Sequence, residues 1–135
     1  MNGDGVLLDS VIVIDHLNGI EEATAYRRLL GERGHVSAIT RAEVLSGFDS
    51  SKASPVRLLL DQFPFVAIDA PVADLAAELR RKFRWRLPDA LQAGAATHHG
   101  LKLATRNTKD FSPKRFDFVV VPYMVARPVR LIERA

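Results

Sequence analysis

Cysteine is absent from the chain. That excludes a disulfide framework and any thiolate metal site, and it is compatible with a reducing cytosol. No apolar run approaches the ~20 residues needed to span a bilayer. No basic segment precedes an apolar stretch near the N-terminus, so neither a membrane anchor nor a signal peptide is expected, and the expected location is cytoplasmic. Internal repeats, low-complexity tracts and interdomain linkers are missing too. The four histidines, His16, His35, His98 and His99, lack zinc-binding spacing. His98 and His99 are adjacent and on a helix cannot share a face.

What is present suits one domain with a real core: 135 residues, 47% apolar and 26% charged. The net charge of +3 favours an anionic partner. The excess is uneven. RRKFRWR (80–86) holds five cations and two aromatics with no acid, and RPVRLIER near the end holds three more arginines. Either segment can be a solvated face with buried aromatics. On a basic chain, nucleic acid gains weight as a partner.

Short strand patterns recur: 6–8, 35–38, 65–68, 101–105 and 117–122. Helical patterns lie between them, over 21–33, 40–48 and 54–62. Val72, Leu75, Leu79 and Phe83 then space as one helical face entered by Pro71, and a further helix opens at Pro88 and ends at Gly100. The alternation predicts an α/β domain with a largely parallel sheet. VIVI (11–14) has β-branched residues and suits a strand by propensity. A helix is preferred there, because Ser10 is a good N-cap and the polar run after Ile14 does not fit a buried strand.

Carboxylates sit at repeating positions. Asp9 closes the first strand. Glu43 follows the second, Asp89 opens a helix, and Asn107 comes just past the 101–105 strand with Asp110 three residues on. Each has a local explanation: a helix cap at Asp9-Ser10, a Thr40-Arg-Ala-Glu43 capping box, a Pro-Asp helix opening, and a plain turn. In a parallel α/β sheet, however, strand C-termini share one edge, where such folds bind ligands. Carboxylates converging there repel one another unless a cation neutralises them. Hard oxygen donors suit Mg²⁺ or Mn²⁺, and the chemistry that follows is metal-assisted phosphodiester hydrolysis.

Taken in order, LLDSVIVIDHL, ITRAEVLSGF, LPDALQAGAATHHGLKLATRNTKDF and the final VVVP resemble the PIN domain, and more narrowly the VapC-type ribonuclease toxins of VapBC toxin–antitoxin pairs. The resemblance covers roughly residues 5–122. It implies a PIN-like α/β fold, a central parallel five-stranded sheet flanked by helices, with 1–122 as the PIN domain and 123–135 as its C-terminal extension. It further implies Mg²⁺ or Mn²⁺ at Asp9 and Asp89, and Asp9, Glu43, Asp89 and Asn107 as the catalytic set. Asn107 stands where the family often has Asp, with Asp110 able to compensate. Ser10 and Thr105 match small hydroxyl positions of the pocket. Arg106 and Trp85 are candidate RNA contacts, though a surface arginine and a packed tryptophan explain them as well. An RNA substrate, a cognate VapB-type antitoxin and a homodimer are the implied partners.

Two other functions fit less well. A phosphoacceptor receiver domain needs an acidic pair early in the chain, which is lacking. A PIN scaffold that has lost catalysis through Asn107 would bind RNA or protein without cutting.

Overall fold

The computed structural model describes residues 5–125. Five parallel strands form one sheet: β1 (Val6–Leu8), β2 (Gly34–Ser37), β3 (Phe65–Val66), β4 (Lys102–Ala104) and β5 (Val119–Val120), in the order β3-β2-β1-β4-β5. Six helices complete it: α1 (Ser10–Leu17), α2 (Glu21–Leu30), α3 (Ala38–Ser46), α4 (Ala53–Leu60), α5 (Ala70–Phe83) and α6 (Leu87–His98). The expected α/β class and parallel five-stranded sheet are what the chain forms.

Residues alternate across the strands, so each strand serves two cores. Val6 and Leu8 of β1 join Val36 and Ala104 against α1, α3 and α4; Leu7 joins Leu103, Val66 and Val119 against α5 and α6. Helices therefore cover both faces, which is why the strands read as apolar runs rather than alternating ones. The α5–α6 contact is close because α6 presents Ala90, Ala93 and Gly94. A methyl group on Gly94 would stand 3.1 Å from the Val72 carbonyl oxygen. Among the described residues, no helix is long and apolar enough to cross a membrane.

Several local expectations are corrected. The VIVI segment is helical, as preferred, but Asp9 rather than Ser10 is the N-cap: its Oδ1 accepts from the Ser10 N–H at 2.9 Å. The Thr40–Glu43 capping box does not form. α3 begins two residues earlier, capped by Ser37, whose Oγ accepts from the N–H groups of Ile39 and Thr40. This cap also ends β2 at Ser37 rather than at 38. β3 and β5 are each two residues long, shorter than the apolar runs that contain them. α2 stops at Leu30, where Gly31 turns the chain at φ 54°. Of the expected extension 123–135, residues 126–135 lie outside the described part, including the three terminal arginines.

Candidate active site

The strand order reverses direction at β1: β2 and β3 lie to one side, β4 and β5 to the other. The crevice at the carboxyl ends of β1 and β4 is thus the switch point of the sheet, where open parallel sheets accept ligands. Asp9 leaves β1 there, with its N–H donating to the Ala104 carbonyl, and Thr105 to Asn107 leave β4 beside it.

Asp9 is 8% exposed and held from several sides. Thr105 Oγ1 donates to its Oδ2 at 2.6 Å, and Gln92 Nε2 reaches its Oδ1 at 3.4 Å. Gln92 is itself fixed. Its Nε2 donates to Thr40 Oγ1 at 2.6 Å, and its Oε1 accepts from Ser37 Oγ at 2.6 Å. Thr40 Oγ1 in turn donates a hydrogen bond to the Leu8 carbonyl oxygen at 2.9 Å. Asp9, Ser37, Thr40, Gln92 and Thr105 thus all find partners, so the network fixes Asp9 rather than weakening the core. Burial still raises the Asp9 pKa, against the hydrogen bonds from Thr105, Ser10 and Gln92 that lower it.

Glu43 and Asp89 are half-buried and face the same crevice electrostatically. Burial raises the Glu43 pKa, the Ser10 hydroxyl lowers it by hydrogen bonding, and the charge of Asp9 raises it again. Asp89 is pushed up to about 6, first by burial and then by Asp9, with Asp110 and Glu43 adding to it and Arg86 opposing. The three acids from three segments therefore act on one another. Asp110 belongs with them. Asn107 Nδ2 donates to its Oδ2 at 3.2 Å, and the Asp110 N–H returns to Asn107 Oδ1 at 3.4 Å. Asn107 is held in turn by its N–H on Thr105 Oγ1. The amide at the fourth position thus ties Asp110 into the turn beside the pocket.

The donor set is all oxygen and carries surplus negative charge, which suits a hard divalent cation. Among the described residues, no three acidic or histidine side chains form a ready-made cage.

The raised Asp89 pKa gives a pH prediction. A carboxyl whose folded pKa exceeds its ordinary value of 3.8 binds more protons folded than unfolded between 3.8 and about 6. Its contribution to stability is fully present below that interval and is lost as pH rises through it. Without metal, the melting temperature is expected to fall between about pH 4 and pH 7, and to fall less in Asp89→Asn. Mn²⁺ is expected to raise it at neutral pH and much less near pH 5, because metal binding needs the deprotonated acid. Thermal melts with and without Mn²⁺ check this; equal metal shifts at both pH values would count against the assignment.

Two candidates move to other roles. Trp85 is 5% exposed, with its ring 4.7 Å from Phe83, 4.8 Å from Phe111 and 5.2 Å from Phe116. It packs the core and offers no face to a base. Arg106 is committed to Asp15. Its Nε donates to Oδ2 at 2.8 Å and its Nη2 to Oδ1 at 3.1 Å, while the Tyr123 hydroxyl donates to the same Oδ2 at 2.8 Å. The sequence reading did not single out Gln92, Asp15 or Tyr123 for such roles. Two signals were present: Gln92 interrupts an alanine-rich helix face, and Asp15 follows four apolar residues.

The PIN-domain family matches this chain over residues 6–117. The chain belongs to the PIN-domain family. This PIN domain is similar to a chain of the "Toxin-antitoxin complex from Klebsiella pneumoniae", with 33% identity, a TM-score of 0.81, and 90% of this chain and 100% of that one covered. It is also similar to FitAcB from Neisseria gonorrhoeae at 25% identity and a TM-score of 0.73, covering 89% of this chain and 99% of that one. The DNA-bound VapBC structure from Salmonella typhimurium shares the fold, with a TM-score of 0.70 at 22% identity over 79% of this chain and 89% of that one. No curated protein matches the sequence. The resemblance to the PIN domain read from the sequence motifs is borne out.

Proposed function

We propose that this PIN domain is a Mg²⁺- or Mn²⁺-dependent endoribonuclease, the toxin of a VapBC-type pair. The observation that carries the reading is the mutual electrostatic effect of Asp9, Glu43 and Asp89 at the switch point of the sheet, with Asp110 beside them. Acids gathered in this way oppose one another unless a cation is present, and a phosphodiester brings charge of the same sign.

Asp9 and Asp89 are the residues that would hold the ion. When bound, it supplies an activated water and neutralises charge on the phosphate. The protein's own part is positional. Thr105 and Gln92 fix the Asp9 carboxylate, Ser10 steadies Glu43, and Asn107 keeps Asp110 at the rim. Arg86 offsets the charge of Glu43 and Asp89. Hydrolysis forms a bond from the water oxygen to phosphorus and releases the ester oxygen, which takes up a proton.

The similar solved structures include toxin–antitoxin complexes, which supports a cognate VapB-type antitoxin as partner. A homodimer and a cytoplasmic location complete the reading. Incubation with structured and unstructured RNA tests it. Cleavage is expected with Mg²⁺ or Mn²⁺ and is expected to vanish in EDTA. Intact RNA under every metal condition would leave the non-catalytic binding scaffold as the better account.

A further inference from the structure

The basic run 80–86 is left over once the acidic pocket has been described. It forms the C-terminal turn of α5 and the short link into α6. Arg80, Arg81, Lys82, Arg84 and Arg86 are all exposed, while Phe83 and Trp85 between them point into the core. The two rings thus pin the link, and the cations are displayed outward. An open groove of ≈ 530 Å³ lies there, lined by Ala77, Arg80, Arg81, Arg84, Trp85 and Leu87. No acid lines it, and among the described residues none of its three arginines makes an ion pair.

Arg84 adds an independent observation. It caps α5 in the left-handed region, at φ 59° and ψ 31°, and is the one non-glycine residue with positive φ among the described residues. Glycine is the usual occupant of such a cap and arginine is disfavoured there. An observed outlier of this kind is reason to ask what the side chain does. The groove also lies beside the start of the helix that carries Asp89, since Leu87, the first residue of α6, lines it. Arg86 immediately precedes α6, Asp89 lies in the first turn of that helix, and Arg86 acts on both Asp89 and Glu43.

We infer that this arginine groove is a track for the phosphate backbone of single-stranded RNA entering the acidic pocket. The inference rests on the nuclease reading above. Guanidinium forks match phosphate oxygens in pairs. A polypeptide partner would need apolar anchors at the centre of its contact, and the groove offers one large exposed apolar side chain, Leu87, beside the small Ala77. With Trp85 buried, the track holds backbone rather than bases, so it contributes affinity without sequence preference.

The test is binding of a short labelled single-stranded RNA in EDTA, by fluorescence anisotropy across a salt series. Arg80→Ala combined with Arg84→Gly is expected to raise Kd about tenfold and to flatten the salt slope by about 1.4, the value for two lost phosphate contacts. The loss should be equal for RNAs of different sequence. Arg84→Gly alone is expected to weaken binding while leaving the melting temperature unchanged or higher, since glycine suits the cap. Arg57→Ala, on the opposite helical layer, should change nothing. Unchanged affinity and slope in the double variant would overturn the track, as would no RNA binding by the wild type. Loss of polyglutamate binding with RNA binding intact would also overturn it, assigning the groove to an acidic polypeptide. Cleavage in Mn²⁺ is scored separately: a wild type that binds RNA through these arginines but never cuts it would refute the nuclease reading and not the track.

Discussion

Asp9→Asn is expected to lower metal-dependent RNA cleavage about a thousandfold while the protein folds normally. Asparagine has the same shape as aspartate and is an equally good N-cap, so the start of α1 is preserved. What disappears is the negative charge at the base of the crevice, and the Thr105 hydroxyl, which donates to Oδ2 in the wild type, turns to accept from the new amide group. Because burial already disfavours that charge, its removal should leave the metal-free melting temperature unchanged or higher. Loss of activity without loss of stability is the diagnostic pair. Asp9→Ala is a poorer probe. It removes the cap, worth about 1 kcal/mol, and strips Thr105 and Gln92 of an acceptor. Cleavage assays alongside thermal melts decide the matter, and cleavage by Asp9→Asn at the wild-type rate would refute the proposed metal site.

Asp15→Ala is expected to cost about 3–5 kcal/mol of stability and to lower the melting temperature by about 10 °C or more. The Asp15 side chain is 3% exposed and that of Arg106 12%. Removing the carboxylate strands the guanidinium in a poorly solvated place and frees the Tyr123 hydroxyl. Truncating one member of a buried ion pair is costly for this reason, even where the intact pair adds little. Asp15→Ala with Arg106→Ala should then lose less than the two single changes together. The effect should reach the active site as well, because Arg106 stands between Thr105 and Asn107, which position Asp9 and Asp110. Equilibrium denaturation measures the cost, and a loss below about 1 kcal/mol would show that the network carries no such burden.

The fold was legible because its signals are short-range. Apolar runs at Val6, Val36 and Leu103 alternate with helical patterns, and Pro71, Pro88 and Gly100 mark helix ends. Strand lengths were not legible. Where β2 stops is decided by the Ser37 cap, and that cap competes with a plausible Thr40–Glu43 box. Thr40 is instead drawn into the core, with Leu8 and Gln92 as partners. The acids at Asp9, Glu43 and Asp89 could be marked in sequence because each follows a strand or opens a helix. Their supports could not. Gln92 is 83 residues from Asp9 and Arg106 is 91 from Asp15, and no periodicity links such distant positions. The choice between a base contact and core packing at Trp85 was open in sequence for the same reason: Phe111 and Phe116, which enclose it, lie in a turn-rich segment after β4.

Both margins of the sheet are stubs. Phe65–Val66 closes one side and Val119–Val120 the other. A margin that short presents few free amide and carbonyl groups to a foreign strand, which is how natural proteins resist edgewise stacking and fibre growth. A second copy or a companion chain joining the described part has little ladder to extend, and must rely on side chains of the surrounding helices for its grip.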